Sequence, residues 1–181
     1  VKYNKPVIYA VKHQSAWETV ITTGLLDMPV IILKRELIFL PIIGLYFLKG
    51  GAIPIKRDNS IKSLKLISSS ALKAVQKGRS ILIFPQGTRV PVNASINDFP
   101  YLTGIYLMYS KLNIPVVPIA HNAGLFWPKN SFIKYPNNLK SKNVSLSFMK
   151  EIPVGLEKKD FMKILIDKIE NGTNKLIKSE L

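Results

Sequence analysis

The chain has 181 residues, with 26 Lys and Arg against 11 Asp and Glu, a formal charge of +15, and 47% hydrophobic residues. That apolar fraction supports a buried core rather than a disordered basic tail, and the length suits one domain better than two. There is no cysteine and the only histidines are His13 and His121. This excludes disulfides, thiolate nucleophiles, zinc ribbons, iron–sulfur clusters and a histidine-rich metal site, leaving oxygen nucleophiles and general bases.

Strand and helix signals alternate along the chain. Residues 7–11 read as a short buried strand, and Ser15 opens a helical stretch to about residue 26. Residues 30–33 read as a second strand. The oily segment 37–48, LIFLPIIGLYFL, follows with Pro41 and Gly44 inside it. It falls short of the roughly 18 residues that span a bilayer. Two readings stay open for it: buried core, or a surface that dips into a bilayer or lines an acyl-chain channel. A third strand is expected at 52–55.

Residues 60–77 carry apolar residues at helical spacing (Ile61, Leu64, Ile67, Ala71, Leu72, Val75), and Gly78 supplies a C-terminal stop. Residues 81–84 read as a buried strand running into Pro85-Gln86-Gly87, 101–112 as a helix and 116–120 as extended. Residues 144–149 alternate with period two, and 158–176 form an amphipathic helix with a break expected near Gly172. Strands interleaved with helices predict an α/β single-domain sandwich: a mixed central sheet flanked by helices, with functional loops at the strand ends. No repeat, low-complexity tract, linker or signal peptide is visible. Val1 is not an initiator methionine, so the chain reads as beginning inside a longer protein.

Only four of the basic residues are arginine: Arg35, Arg57, Arg79 and Arg89. Base reading and bidentate phosphate grip lean on arginine, so nucleic acid is not the expected partner. A lysine-rich surface fits diffuse attraction to an acidic membrane, an acidic carrier protein or phosphorylated metabolites, or else reflects solvated lysines in a biased composition.

Three short stretches can carry chemistry. In His13-Gln14-Ser15-Ala16-Trp17-Glu18, an imidazole suited to proton transfer near neutral pH precedes a carboxylate. On one continuous helix the two would lie roughly 140° apart, at about 100° per residue. If His13 ends the strand and the helix begins at Ser15, Glu18 in the first turn swings back to the ring. The same letters, Ser15-x-x-Glu18, also make a capping box that merely closes the helix start. Phe84-Pro85-Gln86-Gly87-Thr88-Arg89 is a strand ending in a tight turn with an arginine, suited to an anion or to nothing more than a surface turn. Gly51 through Asp58 (GAIPIKRD) delivers Lys56 and Arg57 to a strand end, either for an anion or as a solvated cluster.

Taken together, in this order and spacing, these blocks resemble the glycerolphosphate acyltransferase superfamily, and within it the bacterial 1-acyl-sn-glycerol-3-phosphate (lysophosphatidic acid) acyltransferases. The family's histidine, four residues and an acid match His13 and Glu18. Its glycine-led strand ending in arginine matches Gly51 through Arg57, and its Phe-Pro-Glu-Gly-Thr-Arg turn matches Phe84 to Arg89. Its downstream Val-Pro strand matches Val117-Pro118-Ile119-Ala120, and Lys34-Arg35-Glu36-Leu37 with Pro41 and Gly44 resembles the stretch between the first two blocks. The similarity covers roughly residues 5–125. Two positions depart from it: Glu18 stands where the family usually has Asp, and Gln86 where it usually has Glu.

The resemblance implies catalytic residues His13 and Glu18 and a substrate-binding set of Lys56, Arg57, Gln86, Gly87, Thr88 and Arg89. His13 would remove the proton of the sn-2 hydroxyl of lysophosphatidic acid as it attacks a thioester carried by coenzyme A or acyl carrier protein, with Glu18 orienting the ring. Gly87 and its neighbours would face the oxyanion, and Arg57 and Arg89, with Lys56, the glycerol phosphate. No metal or other cofactor is implied. Partners would be an anionic membrane, the lysophospholipid, and acyl-CoA or acyl carrier protein, at the cytoplasmic face of the inner membrane. Family members commonly carry apolar helices ahead of the first block, so their absence before Val1 marks either a missing anchoring segment or a soluble relative. The alternatives are a different acceptor (glycerol 3-phosphate, another lysophospholipid, an acylated amino-acid lipid), a non-catalytic lipid-binding relative, or a basic nucleic-acid module. His121 reads as structural, and Trp17 and Trp127 as packing residues, the latter suited also to a membrane interface.

Overall fold

A computed structural model of the chain describes residues 3–55, 61–129, 139–140 and 143–181, with the backbone alone for 61–65. Six strands build one sheet: β1 (Ile8–Val11), β2 (Val30–Lys34), β3 (Ile53–Ile55), β4 (Ile81–Ile83), β5 (Val116–His121) and β6 (Leu146–Phe148). Their order is β3-β2-β4-β1-β5-β6. All neighbours run parallel except β6, which is antiparallel to β5, so the sheet is mixed as expected. The central strands are continuous apolar runs because both faces are covered.

Alternation along each strand divides the core in two. Ile8, Ala10, Val30, Ile32, Ile53 and Ile81 face α3 (Ile61–Gln76), α4 (Gly104–Leu112) and α6 (Lys158–Glu180). Val7, Tyr9, Val11, Ile31, Leu33 and Leu82 face the other way, meeting Leu26 at the end of α1 (Trp17–Leu25) and Phe47 of α2 (Ile43–Lys49). A short α5 (Ala123–Phe126) follows β5.

The strand order places the functional end. β1 and β4 are adjacent, with Ala10 opposite Ile83, yet the chain leaves β1 for α1 on one face and leaves β4 for α4 on the other. Connections that diverge from neighbouring parallel strands open a crevice at their carboxyl ends. His13 and the 85–90 turn stand at that crevice.

Packing corrects one expectation and decides between two open readings. No break occurs near Gly172: α6 is continuous over Lys158–Glu180. A Cβ at Gly172 would lie 1.9 Å from Met149 Cε and 3.0 Å from Ala120 Cβ, so the glycine permits close approach of α6 to β5 rather than ending the helix. Of the two readings open for the oily segment, buried core fails for most of its length. It forms a 3₁₀ turn (Arg35–Phe39) and α2, with only Gly44 and Phe47 of α2 buried. Gly44 is obligatory there, because a Cβ would sit 2.0 Å from the Ile38 carbonyl oxygen.

Candidate active site

The base and its partner are brought together as the strand-then-helix reading requires. β1 ends at Val11, and α1 begins at Trp17 with Glu18 in its first turn. Glu18 is fully buried, and its Oε1 accepts hydrogen bonds from His13 Nδ1 at 2.9 Å and from the backbone N–H groups of Gln14 and Ser15, both at 2.8 Å. Ser15 Oγ accepts from the Trp17 N–H at 3.2 Å. The two sequence readings are therefore not alternatives, since one carboxylate closes the helix start and holds the imidazole. Burial pushes the Glu18 carboxyl up, but the hydrogen bond from His13, the electrostatic pull of the His121 and His13 rings, and the Ser15 N–H outweigh it, leaving the group below its ordinary range. An ionised Glu18 can only accept, so His13 Nδ1 carries the proton and Nε2 keeps its lone pair. The His13 side chain is 17% exposed, reachable from the crevice.

The turn after β4 closes over this ring. Phe84 stacks on the imidazole, with centroids 4.1 Å apart and planes at 22°. Val90 N–H donates to the His13 carbonyl at 2.7 Å, so the loop carrying Thr88 and Arg89 is tied directly to the base. Within the turn, Gly87 N–H donates to the Phe84 carbonyl at 2.9 Å, with Pro85 second and Gly87 fourth, as a type I turn favours. Gly87 adopts φ +63°, which glycine allows freely. The Gly87 N–H is thus occupied within the turn. Among the described residues, the N–H groups of Thr88 and Arg89 carry no hydrogen-bond partner.

Gln86 is buried, and its Nε2 donates to the Phe99 carbonyl at 2.8 Å. Its amide is thereby engaged within the protein, and the departure from glutamate has a physical account: an ionised carboxylate in this orientation would set acceptor against acceptor. Arg89 is partly exposed beside the crevice and makes no ion pair among the described residues. Lys56 and Arg57 lie outside the described residues.

Two further groups hold the base from behind, and sequence spacing gave no signal for either. His121 is fully buried; its Nε2 donates to the Lys12 carbonyl at 2.6 Å and its Nδ1 accepts from Ala123 N–H at 3.2 Å. Burial pushes His121 down, against the pull of Glu18 and the Lys12 carbonyl, so this ring is neutral and structural, as expected, though it lies 3.9 Å from Glu18 Oε1. Lys12 points to the opposite face, where its Nζ meets Glu170 Oε1 of α6 at 2.6 Å and Tyr101 Oη donates to the same oxygen at 2.6 Å. Burial, then the nearby Glu170 charge, pushes the Tyr101 phenol far up, so it remains a donor.

The acyltransferase family model matches residues 1–122. The chain belongs to the acyltransferase family. The matched span contains His13, Glu18, the 84–89 turn and His121. Relatives of this acyltransferase chain include the 1-acyl-sn-glycerol-3-phosphate acyltransferase of Pseudomonas aeruginosa, 37% identical over 135 residues, covering 75% of this chain and 51% of that protein. The enzyme of the same description from Haemophilus influenzae is 29% identical over 114 residues, 62% of this chain and 46% of that protein. The chain therefore spans about half the length of these relatives. The crystal structure of the 1-acyl-sn-glycerophosphate acyltransferase PlsC from Thermotoga maritima superposes with a TM-score of 0.76 at 18% identity, over 96% of this chain and 67% of that one, showing that the fold is shared.

Proposed function

We propose that this acyltransferase chain moves a fatty acyl group from an acyl-CoA or acyl carrier protein thioester to the sn-2 hydroxyl of 1-acyl-glycerol-3-phosphate, giving phosphatidic acid. The observation that carries this reading is the 2.9 Å contact between His13 Nδ1 and a buried, ionised Glu18. It leaves Nε2 as a base in the crevice at the sheet's carboxyl end. The names of the relatives supply the acceptor.

An alcohol is a poor nucleophile at neutral pH because it holds its proton. As the hydroxyl oxygen bonds to the thioester carbon, His13 Nε2 takes that proton, a contribution typically worth about 10²–10⁴ in rate. Glu18 stabilises the imidazolium that forms and fixes the ring. The carbonyl oxygen becomes an oxyanion facing the N–H groups of Thr88 and Arg89. Collapse restores the carbonyl, breaks the carbon–sulfur bond and returns the proton from His13 to the departing thiolate. Arg89, with Lys56 and Arg57 from the glycine-led block, neutralises the glycerol phosphate. The bonds made and broken balance without a metal or redox cofactor, and the acyl thioester is a co-substrate.

The acceptor resides in a membrane, so the enzyme works at the cytoplasmic face of the inner membrane, where the +15 charge attracts acidic lipid. Among the described residues no helix is long and apolar enough to cross a membrane. The test is turnover of labelled acyl thioester against a panel of lysophosphatidic acid, glycerol 3-phosphate and other lysophospholipids. Lysophosphatidic acid is the acceptor consumed, and His13→Ala abolishes its consumption. Transfer to another acceptor alone, or undiminished turnover by His13→Ala, overturns the assignment.

A further inference from the structure

The layer covering the His13 side of the sheet exposes a group of large apolar side chains on its outer surface. On α1, Val20 and Leu25 face solvent, and beside them stand Phe39 of the 3₁₀ turn and Ile42, Leu45 and Leu48 in and around α2. Thr23 Oγ1 and Tyr46 Oη, 2.8 Å apart, hold α2 against α1, so these side chains form one surface. Ile42 is 81% exposed, Phe39 71% and Leu45 62%. The only charged residues of α1 and α2 are Glu18, buried against His13, and Lys49 at the far end of α2. By contrast α6, on the other side of the sheet, has ten charged residues among its 23.

Ile42 also occupies an unusual backbone conformation. Ile43 N–H donates to the Pro41 carbonyl at 2.6 Å across it, and its φ and ψ are +64° and −58°, a γ-turn that is strained for a β-branched residue. The strained turn holds the most exposed of these side chains outward. In water alone such an arrangement is unfavourable twice over, in backbone strain and in apolar exposure.

We propose that the α1–α2 face is a membrane-insertion surface whose partner is a bilayer leaflet containing anionic lipid. Its apolar side chains meet the acyl region, and exposed Lys34, Arg35 and Lys49 at its margins meet headgroup phosphates, outnumbering the acidic Asp27 and Glu36 of the same stretch. The insertion surface is continuous with the site: α1 starts at the crevice, and its first turn carries Glu18. Sinking this face therefore brings His13 to headgroup depth, where a lysophospholipid presents its hydroxyl. The proposal rests on the acyltransferase reading only for that last point.

The absence of cysteine permits a direct test. Leu45→Cys, and Leu72→Cys on α3 across the sheet, are each labelled with an environment-sensitive fluorophore and mixed with vesicles of phosphatidylcholine and phosphatidylglycerol. The label at 45 shifts to the blue and the label at 72 does not. In parallel, the triple variant Phe39→Ser, Ile42→Ser, Leu45→Ser loses at least about 100-fold in vesicle affinity, while keeping wild-type transfer to detergent-dispersed lysophosphatidic acid. An unshifted label at 45, equal shifts at both positions, or vesicle binding by the triple variant equal to wild type overturns the proposal. So does a lipid-free dimer dissolved by the same substitutions, which would assign the face to a second copy. Absence of transfer in detergent, with the label at 45 still shifting, overturns the acyltransferase reading and leaves the insertion surface standing.

Discussion

Lys12 and His13 are consecutive, yet their side chains serve opposite faces of the sheet. The imidazole turns to Glu18 of α1, and the ammonium turns to Glu170 of α6, 2.6 Å away. His13 is thus clamped through its neighbour by a helix 158 residues distant in sequence.

Lys12 is 4% exposed and Glu170 17%, so removing either partner leaves a charge with little solvent. Glu170→Ala is expected to cost about 3 kcal/mol in urea denaturation. Replacing both partners in Lys12→Met, Glu170→Leu recovers most of that loss. Equal stability of the single and double variants would show that the pair is not coupled.

Glu18→Gln keeps the size of the side chain but has no charge to compensate an imidazolium, and its NH2 can turn to His13 and favour the other tautomer. Turnover falls by about 10³–10⁴, with little change in KM. The check is steady-state kinetics at saturating acyl thioester. A fall confined to KM would place Glu18 in binding rather than in orienting the base.

Gln86→Glu tests why this chain departs from its family's usual turn. A carboxylate facing the Phe99 carbonyl has no donor unless protonated, so burial raises its folded pKa. Such a group stabilises fully below its unfolded value and loses that contribution as pH rises through the folded value. The variant is close to wild type in acid and less stable by about 1–3 kcal/mol at neutral pH. Thermal midpoints across the pH range decide it.

His121 gives the wild-type protein the opposite slope. Its folded pKa lies below the ordinary imidazole value of 6.5, so the unfolded chain binds the proton first. Stability is full above that value and declines as pH falls below it. Glu18, whose folded pKa is also depressed, adds a further decline below its ordinary value of 4.5. His121→Asn is less stable throughout but shallower between neutral pH and the carboxylate range. An unchanged slope in that variant would assign the acid sensitivity elsewhere.

Local order was legible in the letters. The buried strands announced themselves as short apolar runs, and the spacing of His13 and Glu18 becomes a contact once a strand ends and a helix starts between them. What stayed hidden was set by tertiary approach. Hydropathy marked 37–48 as oily but carries no sign for inside or outside. Gly172 looked like a helix breaker until Met149 and Ala120 came against it. The pairing of capping with a hold on the His13 ring in Glu18 was hidden because a spacing rule assigns one role, whereas a carboxylate oxygen accepts from several donors at once. Lys12 and Glu170 are joined only by topology.

The clamp at Glu170 sets a lower bound on how small a working version of this protein can be made. The span shared with the family ends at residue 122, but a fragment trimmed there would strand the Lys12 ammonium in hydrocarbon, deprive Tyr101 of its acceptor and bare the apolar side of β5 where α6 lies. Shortened designs must therefore keep the carboxy-terminal helix, or replace Lys12 before discarding it.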